Sequence, residues 1–405
     1  MTETFRETAT YPMARGRCPF DPPPELGHLQ ENEPVSRVKL WDGSTPWLVT
    51  RYADLRAVLA DPRVSADSRN AGYPHISAGL AARRQRAKSF INVDDPEHGA
   101  QRRLLTADFM VRKVEALRPK IQRIVDDLID ELLAGPKPVD LVQAFALPVP
   151  SLVICELLGV PYADHELFQR ISKTLISRET PPDESVAALE ELLAYLGDLV
   201  ERKSSEPGDD LLSRLAVEQF RTGAMTREQI AAMGQLLLVA GHETTANMIA
   251  LGTVALLENP GQLAELRETD DPRVIANAVE ELLRYLTITH SGRRRVALAD
   301  FELGGQLIRK GDGIIAAGEI ANRDAEAFPG DPNTLDIHRK ARHHVAFGYG
   351  VHQCLGQPLA RVELQVVYST LYRRIPTLAL AEPVDRLDFK HDMLVYGVHR
   401  LPVTW

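Results

Sequence analysis

Cys354 stands in the run Phe347-Gly-Tyr-Gly-Val-His-Gln-Cys-Leu-Gly356, and its surroundings suit an anionic sulfur. Gly348, Gly350 and Gly356 let the backbone turn tightly and approach a ligand closely. The amide N–H groups of such a loop, with the N-terminus of the helix-like run behind it, favour thiolate over thiol. The loop reads as the presentation of one anionic sulfur to something large and flat. Neither other cysteine competes for that role. Cys155, within Leu152-Val-Ile-Cys155, reads as a buried small apolar residue, and Cys18 precedes a proline in a loop-like N-terminus. Three cysteines so far apart make neither a disulfide framework nor a zinc site.

A second group of chemical residues interrupts an apolar helix: Ala240-Gly241-His242-Glu243-Thr244-Thr245. Glycine inside a helix costs about 1 kcal/mol relative to alanine. Threonine there can bond back to the i−4 carbonyl and bend the helix. A buried carboxylate is costlier still unless it is paired or neutral. Two further pairs carry less information alone. Glu281 and Arg284 are one helical turn apart and can pair, as can groups in His98-Gly-Ala-Gln-Arg102, yet such pairs are ordinarily surface charge.

The elements that must position these groups are mostly helical. Apolar residues recur at helical spacing near 115–134, 151–159, 185–203, 226–258, 273–286 and 357–374. Strand-like runs appear at Val38-Lys39-Leu40 and Pro46–Val49, and again around 295–315 and 390–405. The longest helix starts at a capping box, Thr226-Arg-Glu-Gln229, and stops at Asn259-Pro260. At roughly 1.5 Å per residue it spans about 48 Å, enough to cross the molecule. The expectation is a single domain over 1–405, mainly α with a small β-rich part.

With 44% hydrophobic residues the chain can build a large core, and its net charge of −9 argues against general nucleic-acid binding. No run reaches the roughly 18 apolar residues of a membrane span, and the first thirty residues hold no apolar core of signal-peptide length. A reducing, cytoplasmic location fits the cysteine usage.

Taken together and in this order, the motifs closely resemble the cytochrome P450 family, the haem-thiolate monooxygenases, over almost the whole chain. The cysteine-loop pattern Phe-x-x-Gly-x-His/Arg-x-Cys-x-Gly and the helix pattern Ala/Gly-Gly-x-Asp/Glu-Thr are both met in full. The likeness is greatest to soluble actinobacterial members, carried by Cys18-Pro-Phe-Asp-Pro-Pro23, Asp94-Asp95-Pro96-Glu97-His98 and the ending Gly397 to Trp405.

The resemblance implies haem b, iron protoporphyrin IX, seated between the long central helix and the cysteine loop and helix. Cys354 would be the axial ligand whose thiolate pushes electron density toward O–O cleavage. His98, Arg102, His352 and Arg295 would meet the haem propionates, with Arg293 and Arg294 as neighbours that blur the last assignment. Phe347 would pack near the sulfur, with Gly348 and Gly356 beside it. Ala240 and Gly241 would leave room for dioxygen, where the helix widens as a π-bulge. Thr244 would hold a water near the dioxygen, and Glu243 would link that water to solvent. His242 reads as a structural hydrogen-bonding group, and Thr245 as a support for the helix distortion or a haem contact. Glu281, Arg284 and Arg339 would form a structural salt-bridge triad.

The implied reaction is insertion of one oxygen atom of O2 into a C–H bond of a hydrophobic small molecule or secondary metabolite. No flavin or iron–sulfur motif is visible, so electrons would come from a ferredoxin and its reductase, docking near Arg102, Arg103, Arg342 and Arg361. Substrate contacts are expected at Ile91, Val239, Ile288, Thr289, His290, Leu394 and Val395. The basic run Arg83-Arg84-Gln-Arg86-Ala-Lys88 reads as a solvated face or as a site for an anionic substrate. A monomer that binds neither nucleic acid nor membrane is expected. A peroxide-driven peroxygenase, a nitric-oxide reductase relative and a non-catalytic haem sensor remain as other readings of the same motifs.

Overall fold

A computed structural model describes residues 8–84, 86 and 88–405, so Gln85 and Ala87 of the basic run lie outside it. The central helix runs Arg227–Leu257. Its start is the expected capping box: Thr226 Oγ1 accepts from Gln229 N at 3.3 Å, and Gln229 Oε1 accepts from Thr226 N at 2.8 Å. Helices Pro148–Leu158, Pro182–Ser205 and Gln357–Arg374 pack around it. Because it is enclosed on all sides, it is apolar nearly all round, as a buried helix must be.

Two glycines set how closely its neighbours approach. A Cβ at Gly252 would lie 2.0 Å from Tyr368 Oη of the Gln357–Arg374 helix, which donates to the Met248 carbonyl at 2.5 Å. Gly252→Ala should therefore destabilise the fold by ~1–3 kcal/mol through overpacking. A lowered denaturant midpoint at unchanged slope would show it, and an unmoved midpoint would refute the tight crossing. At Gly241 a Cβ would lie 2.8 Å from two carbons of Ile154. The expectation at that position is corrected on two counts. The helix stays α-helical through 240–245, the π-turns lying instead at Val142–Ala146 and Ala216–Phe220, and the missing side chain makes room for Ile154 as well as opening onto a cavity.

A five-stranded sheet runs in the order Val35–Arg37, Trp47–Val49, Gly313–Ala316, Arg293–Ala297, Val64–Ser65. It is antiparallel except where Trp47–Val49 lies parallel to Gly313–Ala316. Two strand expectations shift. Val38–Leu40 is not a strand, Lys39 making only an isolated bridge to Thr10, because the chain bends there toward the turn at Asp42-Gly43. Within 390–405 only Pro402–Thr404 is a strand, pairing with Val139–Asp140 and Ala379–Leu380. The segment before it is held by turns and single bridges.

Candidate active site

The central helix, the cysteine loop and the strand Arg293–Ala297 enclose a cavity of about 390 Å³. One stripe of the helix faces it: Leu237, Ala240, Gly241, Thr244, Thr245 and Met248. A period of about 3.6 residues puts these positions on one side and turns Val239, His242 and Glu243 away. Cys354, Phe347, Gly356 and Leu355 form the opposite wall.

The loop carrying Cys354 is folded by its own backbone. Cys354 N donates to the Phe347 carbonyl at 2.9 Å, Gly348 N to Val345 O at 2.9 Å, and Gln353 N to Gly350 O at 3.0 Å. Gly348 and Gly350 have φ of +79° and +74°, which only glycine adopts freely. A side chain at Gly350 would strike the Leu59 carbonyl, whereas at Gly356 a Cβ would meet nothing within 4 Å. Gly356 thus leaves open space at the cavity wall.

The sulfur of Cys354 is open to the cavity and surrounded by protein. Burial pushes the thiol up, while the Gly356 amide hydrogen bond and the guanidiniums of Arg293, Arg102 and Arg361 pull it down without reversing the sign. The loop amides therefore do not by themselves make a thiolate, as the sequence argument expected. A metal cation at the sulfur changes that balance, because a coordinating thiol is deprotonated outright.

Four arginines line the cavity: Arg102, Arg293, Arg294 and Arg295. Three of them reach only carbonyls: Arg102 Nη2 donates to Gln353 O at 2.7 Å, Arg293 Nη2 to Ala346 O at 2.5 Å, and Arg295 Nη1 to Arg294 O at 2.8 Å. Among the described residues none of the four has an ion-pair partner. The rings of His98 and His352 lie in contact, with centroids 4.1 Å apart and planes tilted by 44°, and His98 Nδ1 lies 3.3 Å from Asp95 Oδ1. His98 Nε2 and His352 Nδ1 are buried without a partner. Burial, with Arg295, His98 and Arg102 close by, lowers His352 to about 3, so it acts as a neutral hydrogen-bonding group and not as a cation.

Thr244 Oγ1 donates to the Ala240 carbonyl at 2.7 Å, which leaves its lone pairs for the cavity. Glu243 is buried behind the stripe, with Oε1 3.6 Å from His242 Nε2. His242 Nδ1 donates to Leu238 O at 2.7 Å. Burial pushes Glu243 up, but the His242 contact with Lys390 and Lys173 outweighs it and holds the carboxyl below its ordinary value. The acid therefore lies in the fields of Lys390 and of the exposed Lys173.

The structure brings together Glu281, Arg284 and Arg339 as a buried cluster. Arg284 Nε and Nη2 donate to the two Glu281 oxygens at 2.7 and 2.8 Å, and Arg339 Nε reaches Oε1 at 3.3 Å. Of the substrate expectations, Ile91, Ile288 and Thr289 are on the cavity wall and the others are not. Val239 faces the core between helices, and His290 is buried with Nε2 2.7 Å from Met393 O. Leu394 and Val395 pack into the core, because the turn that holds them is anchored by the Leu394 amide on Ile176 O. The proposed basic patch is also smaller. Arg361 is bound to Glu280 at 2.5 Å and Arg102 faces inward, leaving Arg103 and Arg342 exposed.

Glu363 is a cavity residue that the sequence reading passed over. It is 2% exposed, its Oε2 has no partner, and burial raises it to about 8. Its signal was the i, i+4 spacing from Leu359 along the cysteine helix, which puts both on the cavity side.

The sequence model of the family described as Cytochrome P450 matches residues 201–377. The chain is 57% identical to "Cytochrome P450 GfsF" of Streptomyces halstedii, over 98% of this chain and 96% of that one. It is 44% identical to "Mycinamicin VIII C21 methyl hydroxylase" of Micromonospora griseorubida, over 98% and 99% of the two chains. The crystal structure of GfsF superposes with a TM-score of 0.92, covering 98% of this chain and 100% of that one. The hydroxylase bound to mycinamicin VIII also superposes at 0.92, with 43% identity over the same shares.

Proposed function

The chain belongs to the cytochrome P450 family and is a haem-dependent monooxygenase, and from that premise we propose that Cys354 is the axial ligand and that Thr244 and Glu243 manage the protons. The residues present fit haem b. A flat group needs the open wall at Gly356, and two propionates need cations such as the unpaired Arg102 and Arg295, with His98 Nε2 and His352 Nδ1 as spare hydrogen-bonding atoms. When bound, thiolate-ligated haem supplies cleavage of O2, one atom entering a C–H bond and the other leaving as water.

The protein's own part is placement and proton supply. The cysteine loop fixes the sulfur through the Phe347 carbonyl and the Gly356 amide. Across the cavity, Thr244 accepts a hydrogen bond from a water or acid while its own O–H donates to the Ala240 carbonyl. Glu243, kept ionised by His242 and two lysines, takes protons from the Lys173 side and gives them toward the Thr244 face. Apolar walls at Leu237, Met248 and Ile288 exclude water and hold a hydrophobic substrate.

One relative is by its printed name a hydroxylase of the C21 methyl of mycinamicin VIII, and we read the present substrate as a hydrophobic small molecule or secondary metabolite. We also read the electron donor as a small acidic ferredoxin with its reductase, meeting exposed Arg103, Arg342 and Val351 beside the cysteine loop. Residues 1–405 act as one domain and, on this reading, as a cytoplasmic monomer. A contiguous core reaching from Phe20 to Val403 supports the single domain. No helix among the described residues is long and apolar enough to cross a membrane.

The observation that carries the reading is the opposition of Cys354 and the Ala240–Thr244 stripe across one cavity. Turnover under labelled dioxygen tests it: product should gain one oxygen atom from the gas, and label arriving from water would overturn it. Thr244→Ala should leave substrate binding intact yet lower the product formed per electron pair by ~10-fold or more, peroxide making up the difference. Unchanged coupling would remove Thr244 from proton delivery.

A further inference from the structure

Three consecutive arginines, Arg293, Arg294 and Arg295, occupy the strand that walls the cavity. Alternation along a strand sends the first and third to one face and the second to the other. Their neighbours agree. Arg293 and Arg295 lie in the fields of Cys354 and His352, whereas Arg294 lies in the fields of Tyr11, His75 and Arg83.

Counter-charges are too few for this set. Arg293 has the buried carboxyl of Glu319 in its field. Arg102 and Arg295 are the cations available to the two propionates of haem. Glu363, the carboxyl on the cavity wall, is raised to about 8 by burial and is neutral near pH 7. Arg294 remains. Among the described residues its guanidinium has neither a hydrogen bond nor an ion pair, although the residue is partly buried.

Its surroundings add positive charge. Arg83, whose Nη2 donates to Leu175 O at 2.7 Å, is lowered to about 10 by burial and then by Arg294. His75, lowered to about 4 by burial and then by Arg294, is neutral near pH 7 and offers only ring nitrogens there. Two guanidiniums, Arg83 and Arg294, in each other's field at a partly buried spot are unfavourable unless an anion joins them. The same cavity wall offers Thr289 Oγ1, buried and without a partner. Ile91, on the cavity wall yet 53% exposed, marks where the cavity meets the surface.

We propose that the substrate carries a carboxylate, held by Arg294 at the end of the cavity beneath the segment 73–84. The proposal rests on the haem-monooxygenase reading above and narrows it to an amphipathic acid with an apolar body. The apolar part lies along Ile288, Leu237 and Met248, and the charged end fixes which carbon faces the chemistry.

The test uses holoprotein and iron-anchored probes, so that both arms bind whatever the natural substrate is. These are ω-(imidazol-1-yl)alkanoic acids of increasing chain length and their methyl esters, titrated by the Soret shift. At the length that spans the cavity, the acid should bind about tenfold tighter than its ester, the size of one charge-assisted contact. Arg294→Gln should erase that preference while leaving ester affinity unchanged, and Arg294→Lys should restore part of it. Equal affinity of acid and ester at every length, or a preference surviving Arg294→Gln, overturns the proposal. So does an Arg294→Gln protein that no longer holds haem, which would assign this arginine to the propionates. The reduced carbon-monoxide spectrum is recorded first: a thiolate-type band shows that the underlying haem reading stands when the carboxylate inference fails.

Discussion

Cys354→Ser is expected to abolish the thiolate-type band of the reduced carbon-monoxide complex and to lower monooxygenation by ~100-fold or more. The reason is chemical and not structural. Serine preserves the loop, because the backbone bonds from residue 354 to Phe347 and from Gln353 to Gly350 do not involve the side chain. Its hydroxyl is also a workable acceptor for the Gly356 amide that now serves the sulfur. What is lost is a soft anionic donor, and with it the electron density that favours O–O cleavage. Haem should still load, since the unpaired arginines and the open wall at Gly356 are untouched. The two measurements are the carbon-monoxide difference spectrum and product formation. A thiolate-type band persisting in the serine protein would place the ligand elsewhere in the chain.

Glu281→Leu should cost ~3–5 kcal/mol, because it strands a cation in the core. Arg284 is completely buried, and Glu281 takes two of its N–H groups at 2.7 and 2.8 Å. Without the carboxylate, the guanidinium keeps only carbonyls: those of Asn322 and Pro332 at 2.8 Å and Thr334 at 3.3 Å. These satisfy hydrogen bonds and leave the charge uncompensated. The same carboxylate accepts from Asp336 N at 3.0 Å and from Arg339 at 3.3 Å, so its loss also loosens the segment leading to the cysteine loop. A protein stable by ~5–15 kcal/mol would lose a large share of its margin, and haem retention should fall with it. The double change Glu281→Leu with Arg284→Leu should cost less than the sum of its parts, because no lone charge remains. A single Glu281→Leu protein within ~1 kcal/mol of wild type, by denaturant unfolding, would show that the pair contributes little.

These two clusters differ in how readable they were. The spacing of Glu281 and Arg284 allowed a surface pair as easily as a core one, and only enclosure by the 322–334 segment makes it buried. The central helix was legible almost to the residue, because a capping box and an Asn-Pro stop act locally. The short strands were not, since Val38–Leu40 and the stretch before Pro402 have strand-like composition but meet their neighbours only through single bridges and turn hydrogen bonds. Glu363 escaped notice because one carboxylate in a charged helix carries no local mark of burial.

Short contiguous runs carried the resemblance that gave the family, and with it the proposed sulfur ligand and acid–threonine pair, because the chemistry of such runs is local. Tertiary packing settled which side of the helix each residue faces. It turned Glu243 toward His242 and the lysines, filled the space at Gly241 with Ile154, and withdrew Leu394 and Val395 into the core. It also left the Arg294 guanidinium on the wall with no ion-pair partner among the described residues. Such facts depend on what lies across a cavity from residues hundreds of positions away, and no local pattern of side chains encodes them.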